Sequence, residues 1–412
     1  MINLNKKAIE IVNAAEEKCK PLFAEIEQIE FENQLKVLNA FGTNNVQAYH
    51  FAGSNGYGHN DLGKEKLCQV FASVFHTERA LVSPLISCGT EAITKCLLGL
   101  LRPGQNMLCL SGTPYDTLHD VIWGVEGKNV GSLKDYNIEY NQVELKDNDF
   151  DIPAVKQAIL KHNPDLIYIQ RSRGYELRNA LTISQIEKVL KEVKTLTNAT
   201  ILVDNCYGEF TETREPTDVG ADVVVGSLIK NLGAGIAPCG GYVAGKSDLL
   251  ELISYQISSP AVGFDAGGYE LGYKAFFQGI FTAPHVVAQS VKIVRLASMA
   301  ISSLGYQTIP SITQPISDIV CVIKFEEPNK LINFVKGIQQ GSAIDSNTVP
   351  VPCDMEGYAD QIIMASGSFN QGSTIELSCD GPIRPPYAGY LQGSLSYAHG
   401  KIGLTNAIAS LI

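Results

Sequence analysis

Thr200-Ile-Leu-Val-Asp204 runs straight into Asn205-Cys-Tyr-Gly208, and 26 residues after Asp204 a second apolar run, Val223-Val-Val-Gly-Ser-Leu-Ile, reaches Lys230 and opens into Asn231-Leu-Gly-Ala-Gly235. The interval is about one strand–helix–strand repeat, so the two runs read as neighbouring strands of an open α/β sheet. A carboxylate at the C-terminal end of such a strand points into the crevice where these sheets bind ligands. Taken alone, Asp204 reads better as an ordinary strand-end acid capping a turn. The lysine is harder to explain away, because it follows an apolar strand and leads into glycines. Burial there is expected to lower its pKa and make the amine a nucleophile. An acid and a lysine on adjacent strand ends suit pyridoxal phosphate (PLP), which needs an amine for its aldehyde and a carboxylate for its ring nitrogen.

Working outward, further strands are expected at 79–82, 106–110, 166–170, 222–226 and 241–244. Helical patterns fall at 91–101, 153–162 and 184–197. Their alternation predicts a mostly parallel central sheet with helices on both faces. The strands are apolar throughout, as doubly covered strands are. Residues 1–40 read as helices, and an apolar helix covers 285–304. It carries Gln289, Lys292 and Arg295, which favours a core helix over a membrane span. Beyond it, strands at 318–325, 362–366, 374–377 and 387–391 with a helix at 330–338 predict a smaller C-terminal α+β domain. The expected division is a helical segment 1–50, a large cofactor-binding α/β domain 51–290 and a small domain 291–412.

The chain has 412 residues, a net charge of −11 and 45% hydrophobic residues. That composition excludes a largely disordered chain. No basic stripe interrupts the acidic surface, so no nucleic-acid partner is expected. The ten cysteines form no CxxC pair, and the seven histidines show no HxH or HExxH spacing, so no metal is expected. The N-terminus lacks an apolar signal core, and several cysteines sit in apolar runs, which together predict a cytoplasmic protein. Gly240-Gly-Tyr-Val-Ala-Gly-Lys-Ser247 matches the P-loop pattern GxxxxGK[ST]. The strand formers Tyr242, Val243 and Ala244 lie inside it, however, where a phosphate nest has none.

Two loops add to the Asp204–Lys230 pair. Ser87-Cys-Gly-Thr90 precedes a helix whose first N–H groups make an anion site, with Gly89 allowing close approach. Thr90 contributes a hydroxyl or serves simply as the N-cap. Gly112-Thr-Pro-Tyr115 follows the next strand, and Tyr115 is placed to cover a planar ring or to lie in a surface loop.

With these pieces and the segments Gly56-Tyr-Gly-His-Asn-Asp-Leu-Gly63, Gln170-Arg-Ser-Arg-Gly-Tyr175, Phe277-Gln-Gly-Ile-Phe-Thr-Ala-Pro-His285 and Cys379-Asp-Gly-Pro-Ile-Arg-Pro-Pro-Tyr387, the chain resembles fold-type I PLP enzymes. The resemblance is closest to the methionine γ-lyase-like proteins also labelled aluminium resistance proteins. It covers the chain from about residue 40 onward and rests on these segments jointly.

The resemblance implies that Lys230 bonds PLP and moves protons at the substrate Cα. Asp204 would hold the ring nitrogen and Tyr115 would lie on the ring. Cys88, Gly89, Thr90 and Ser227 would line the phosphate site. Tyr57 would reach the phosphate of a neighbouring subunit, making the active unit a homodimer or homotetramer with shared sites. Arg384 would grip the substrate α-carboxylate. Three positions depart from the broader family's pattern. Cys88 separates Ser87 from Gly89, Ile229 precedes the lysine where a hydroxyl residue is usual, and His59 stands where an arginine is usual. The implied activity is elimination of a thiol from a sulfur amino acid of the cystathionine, cysteine or methionine class, giving a 2-oxo acid and ammonia. Other fold-type I reactions (transamination or aldol cleavage) and a non-catalytic stress or metal-tolerance role are the alternatives.

Overall fold

A computed structural model describes residues 4–355 and 357–412. The first three residues of the expected N-terminal helical stretch therefore lie outside the described residues. The helices are α1 (Lys6–Thr43), α2 (Leu62–Val74), α3 (Gly89–Leu100), α4 (His119–Trp123), α5 (Ile152–His162), α6 (Ile183–Val193), α7 (Ser247–Ile257), α8 (Lys274–Ser303), α9 (Pro328–Gln340) and α10 (Tyr397–Ile408). The strands are β1 (Arg79–Ser83), β2 (Asn106–Cys109), β3 (Glu139–Gln142), β4 (Leu145–Lys146), β5 (Asp149–Phe150), β6 (Leu166–Gln170), β7 (Thr200–Asp204), β8 (Val223–Ser227), β9 (Gly241–Gly245), β10 (Gln307–Ile309), β11 (Val320–Lys324), β12 (Ile362–Ser366), β13 (Ser378–Pro382) and β14 (Ala388–Gln392).

Seven strands form the large sheet in the order β1-β9-β8-β7-β6-β2-β3. The pairs from β8 through β7, β6 and β2 to β3 are parallel, and β9 runs against both its neighbours. Strands β6, β8 and β9 are buried at every position, which is why they read as unbroken apolar runs rather than alternating ones. β7 and β8 are adjacent, so Asp204 and the turn carrying Lys230 emerge side by side at one edge of the sheet. The P-loop-like stretch is strand β9 itself. Lys246 caps α7 and pairs with Asp222 at 2.6 Å, so no phosphate nest forms there.

The second sheet has five antiparallel strands, β10-β11-β14-β13-β12. One expectation fails here. Residues 374–377 are a bend, and the strand begins at Ser378. The Glu376 carboxylate accepts from the Phe369 and Asn370 amides at 2.9 and 3.2 Å, which folds the segment on itself before a ladder can form.

Two long helices tie the cores together. Phe276 to Val291 of α8 belong to the core under the large sheet, whereas Ile293 to Ile301 belong to the core of the second sheet. α1 is likewise split, with Ala8, Val12 and Ala15 in the second core and Ile26, Val37 and Ala40 in the first. α8 is long and apolar enough to cross a membrane, but it is mostly buried between these layers.

A buried ion pair fixes the second sheet against the end of β6. Arg173 donates through Nη2 to Asp318 Oδ1 at 3.0 Å and through Nε to Oδ2 at 3.2 Å, and both side chains are essentially inaccessible. Ser172 Oγ and the Val320 amide complete the shell of the carboxylate. Replacing Arg173 by Met strands a buried charge and is expected to cost about 3–5 kcal/mol. Arg173→Met combined with Asp318→Leu is expected to recover much of that loss, since an apolar pair of similar volume removes the orphaned charge. Urea unfolding midpoints of the two variants check both statements.

Candidate active site

The turn after β7 is held in a conformation that ordinary residues avoid. Tyr207 and Phe210 have φ of 71° and 61°, in the left-handed region. The buried Arg171 guanidinium enforces it. Its Nη1 donates to Asn205 Oδ1 at 2.9 Å and to the Gly208 carbonyl at 2.8 Å, and its Nη2 to Glu212 Oε1 at 2.7 Å. A Cβ on Gly208 would lie 2.5 Å from Arg171 Nη1, so only glycine lets the guanidinium come this close. The consequence is that the Tyr207 ring lies under Lys230, whose Nζ sits 3.9 Å from the ring centroid.

Lys230 Nζ also donates to Thr374 Oγ1 at 3.3 Å, across to the bend that replaces the expected strand. Burial lowers the basicity of Lys230, but Tyr207, Cys206 and Asp204 around it outweigh that and hold it above its ordinary value. The expected net lowering is therefore corrected. The lysine is buried among groups that favour its charge rather than in an apolar pocket. Asp204 is itself buried. Burial raises its carboxyl, partly offset by the Cys206 amide, which donates to Oδ1 at 3.0 Å, and by Lys230.

Lys230 and Asp204 open into one cavity of about 230 Å³. Its walls bring together most of the residues that the sequence singled out: Cys88, Gly89, Thr90, Tyr115 and Ser227. The helix-cap expectation is revised in detail. Cys88, not Thr90, caps α3, its Sγ accepting from the Glu91 amide at 3.4 Å. The Thr90 hydroxyl pairs instead with Thr117 Oγ1 at 2.7 Å on the cavity side. Tyr115 is set by Gln170 Oε1, which accepts from its amide at 2.7 Å, and its hydroxyl bonds that of Tyr358.

Two residues stand elsewhere. Arg384 lies in an adjoining hollow that shares Tyr175 and Tyr390 with the cavity, half exposed and paired with Asp360 at 2.8 Å. Tyr57 is 73% exposed and stacked on His59, outside the cavity of its own chain.

The residues present fit PLP. A Cβ built on Gly89 would lie 3.3 Å from Cys206 Sγ and 3.5 Å from Ser227 Cβ, so the glycine keeps open the space between the α3 N-terminus and β8. That space is lined by N–H groups and hydroxyls suited to a phosphate. The buried acid and the buried lysine face the same cavity, as a pyridine nitrogen and an aldehyde require.

Sequence reasoning passed over Tyr207, Gln170, Ser172, Tyr175, Gln392 and Asp380, all of which line the cavity. All but Gln392 lie inside segments quoted for the family resemblance, yet nothing in their spacing marks a role. Asp380 and Gln392 come from the second sheet, and only folding brings them here.

Glu209 lies behind the lysine strand, fully buried, its Oε1 accepting from the Tyr242 hydroxyl at 2.8 Å. Burial pushes its carboxyl up to about 8. Between about pH 4.5 and about pH 8 the folded chain therefore holds a proton that the unfolded chain has released, and this group lowers stability as pH rises. Glu209→Gln is expected to remove that slope. Its stability relative to the parent should rise from about pH 5 to about pH 8.5, by up to about 1.4 kcal/mol per pH unit. Urea midpoints at the two pH values check this.

A family profile described as methionine gamma-lyase matches residues 8–412. The uncharacterized protein YnbB of Bacillus subtilis (strain 168) is 43% identical over 413 residues, covering 99% of this chain and 96% of YnbB. A solved structure described as a carbon-sulfur lyase involved in aluminum resistance, from Clostridium novyi NT, superposes with a TM-score of 0.95 at 43% identity, covering 99% of this chain and 97% of that one. The pyridoxal-5'-phosphate dependent protein YhfS of Escherichia coli shares the fold, with a TM-score of 0.62 at 18% identity over 94% of this chain and 97% of its own.

Proposed function

The chain belongs to the methionine gamma-lyase family, with the fold of type I PLP enzymes, and on that premise we propose that it is a PLP-dependent carbon–sulfur lyase. Its substrate would be a sulfur amino acid of the cystathionine, cysteine or methionine class. The reaction takes up water and releases a thiol, a 2-oxo acid and ammonia. The observation that carries this reading is the buried Lys230–Asp204 pair facing one cavity whose lining includes the α3 N-terminus.

PLP is the cofactor, and when bound it supplies an electron sink for the charge left when a bond at the substrate Cα breaks. The chain's own residues divide the remaining work. Asp204 holds the ring nitrogen in its charged form. Cys88, Gly89, Thr90 and Ser227 line the phosphate site. Lys230 anchors the cofactor and then moves the proton at the substrate Cα. The Tyr115 ring covers the cofactor. Its hydroxyl, kept protonated by burial and by Tyr358, stands ready to hand a proton to the departing sulfur. Arg384 is assigned the substrate α-carboxylate, a task for which its planar fork is suited once Asp360 is released.

The exposed Tyr57 supports a shared site in a homodimer or homotetramer. The ten free cysteines support a reducing, cytoplasmic setting.

The purified protein is expected to show the visible absorbance of bound PLP. Lys230→Ala is expected to lose that absorbance and to lower turnover by at least ~10²–10⁴-fold, the share of a positioned acid–base group. Release of 2-oxo acid and ammonia without any added amino acceptor would separate elimination from transamination. A colourless protein that does not respond to added PLP would sink the reading.

A further inference from the structure

The charges lining the cavity do not balance. Among the described residues its lining carries two carboxylates, Asp204 and Asp380, and one side-chain cation, Lys230. The other arginines of this region are engaged elsewhere. Arg173 is spent on Asp318, Arg178 on the carbonyls of Gln170, Ser172 and Asn179, and Arg384 on Asp360 or, in the reading proposed above, on the substrate α-carboxylate. In the reading proposed above, Asp204 serves the cofactor ring and the Lys230 amine is taken up by the cofactor. Asp380 then has no counter-charge.

Asp380 sits on β13 and reaches the cavity from the second sheet, near enough to Lys230 for the two charges to interact. Its Oδ2 accepts from Gln392 Nε2 at a long 3.3 Å, and its buried Oδ1 has no hydrogen-bond partner among the described residues. An ionised carboxylate with an unmet buried oxygen is costly unless a cation or a proton completes it. Around it stand aromatic faces. Tyr115, Tyr175 and Tyr358 contact one another with ring centroids 5.5–6.5 Å apart, and Tyr390 lies 4.9 Å from Tyr175. Burial pushes its carboxyl up to about 7 even with Lys230 beside it acting in the opposite sense. A carboxylate set among tyrosine rings is the chemistry that receives an ammonium.

We propose that Asp380 is a specificity-determining residue that receives a cationic group on the substrate side chain, so that the site selects sulfur amino acids carrying a second ammonium over neutral or anionic ones. This rests on the lyase reading for its turnover, but not for its binding.

The test uses the PLP-loaded enzyme and two matched series. For binding, L-lysine, L-norleucine and L-2-aminoadipate differ at the side-chain end and lack a sulfur leaving group. Calorimetry is expected to rank lysine tightest, by roughly tenfold or more over norleucine, with aminoadipate weakest. For turnover, S-(2-aminoethyl)cysteine, S-ethylcysteine and S-carboxymethylcysteine are compared by pyruvate release, and kcat/KM is expected to follow the same order. Asp380→Asn is expected to collapse the cation preference in both series.

A parent enzyme with no preference for lysine overturns the proposal, as does an Asp380→Asn variant that keeps it. A uniform loss of turnover across the three thioethers, with the charge order intact, also overturns it and makes Asp380 a proton carrier instead. Preferential lysine binding that Asp380→Asn abolishes, together with no pyruvate from any of these thioethers and no 2-oxobutyrate from their homocysteine counterparts, upholds the charge selection and sinks the lyase reading alone.

Discussion

The Arg173–Asp318 pair is the contact on which the site's geometry depends. Two charges taken out of water must repay a large desolvation cost, and they do so only in a near-ideal arrangement with every remaining lone pair engaged. Here that arrangement uses both nitrogens of the fork facing the acid, a serine hydroxyl and a main-chain amide. Because Arg173 follows β6 and Asp318 precedes β11, satisfying the pair sets the second sheet against the large one. At the end of β6 Gln170 positions Tyr115, while in the loop that follows the Tyr175 carbonyl accepts from the Tyr390 hydroxyl of β14. One buried interaction thereby places walls of the cavity from both sheets.

Within that frame the cavity and the layer behind the lysine strand hold groups whose charge burial alone would extinguish. Asp204, Glu209 and Asp380 are all pushed up by desolvation, whereas Lys230 is held up against it by its neighbours. The protein tolerates this because the acids differ in surroundings. Asp204 has an amide and the lysine, Glu209 a tyrosine hydroxyl, and Asp380 a glutamine amide on one oxygen and no partner on the other, buried one. Groups of one kind set apart by environment are the usual route to different duties in one site. The left-handed Tyr207 belongs to the same scheme, since the Arg171 network holds the turn that puts an aromatic face beneath the lysine.

Much of this was legible in the sequence. The central strands were readable because strands covered on both faces must be apolar throughout, and their neighbours in the chain are helices. Lys230 was readable because a lysine that closes an apolar run and opens into glycines has few structural uses, and Asp204 gained meaning only beside it. The bend at 374–377 was not, because Thr374, Ile375 and Leu377 look like strand formers until the Glu376 carboxylate is seen folding back on the Phe369 and Asn370 amides. Cys88 as a helix cap was hidden too, since a thiol is an unusual acceptor beside the more familiar Thr90.

The sequence by itself determined the class of sheet and most of its central strands, because these follow from periodicity and from residues close to one another along the chain. Only the tertiary structure decided which charges are paired and which are left over. Whether Arg384 answers to Asp360, Arg173 to Asp318, or nothing to Asp380 depends on which side chains of two distant sheets meet after packing. Electrostatic energy depends on distance and burial in space, and neither is written in the spacing of residues along a chain.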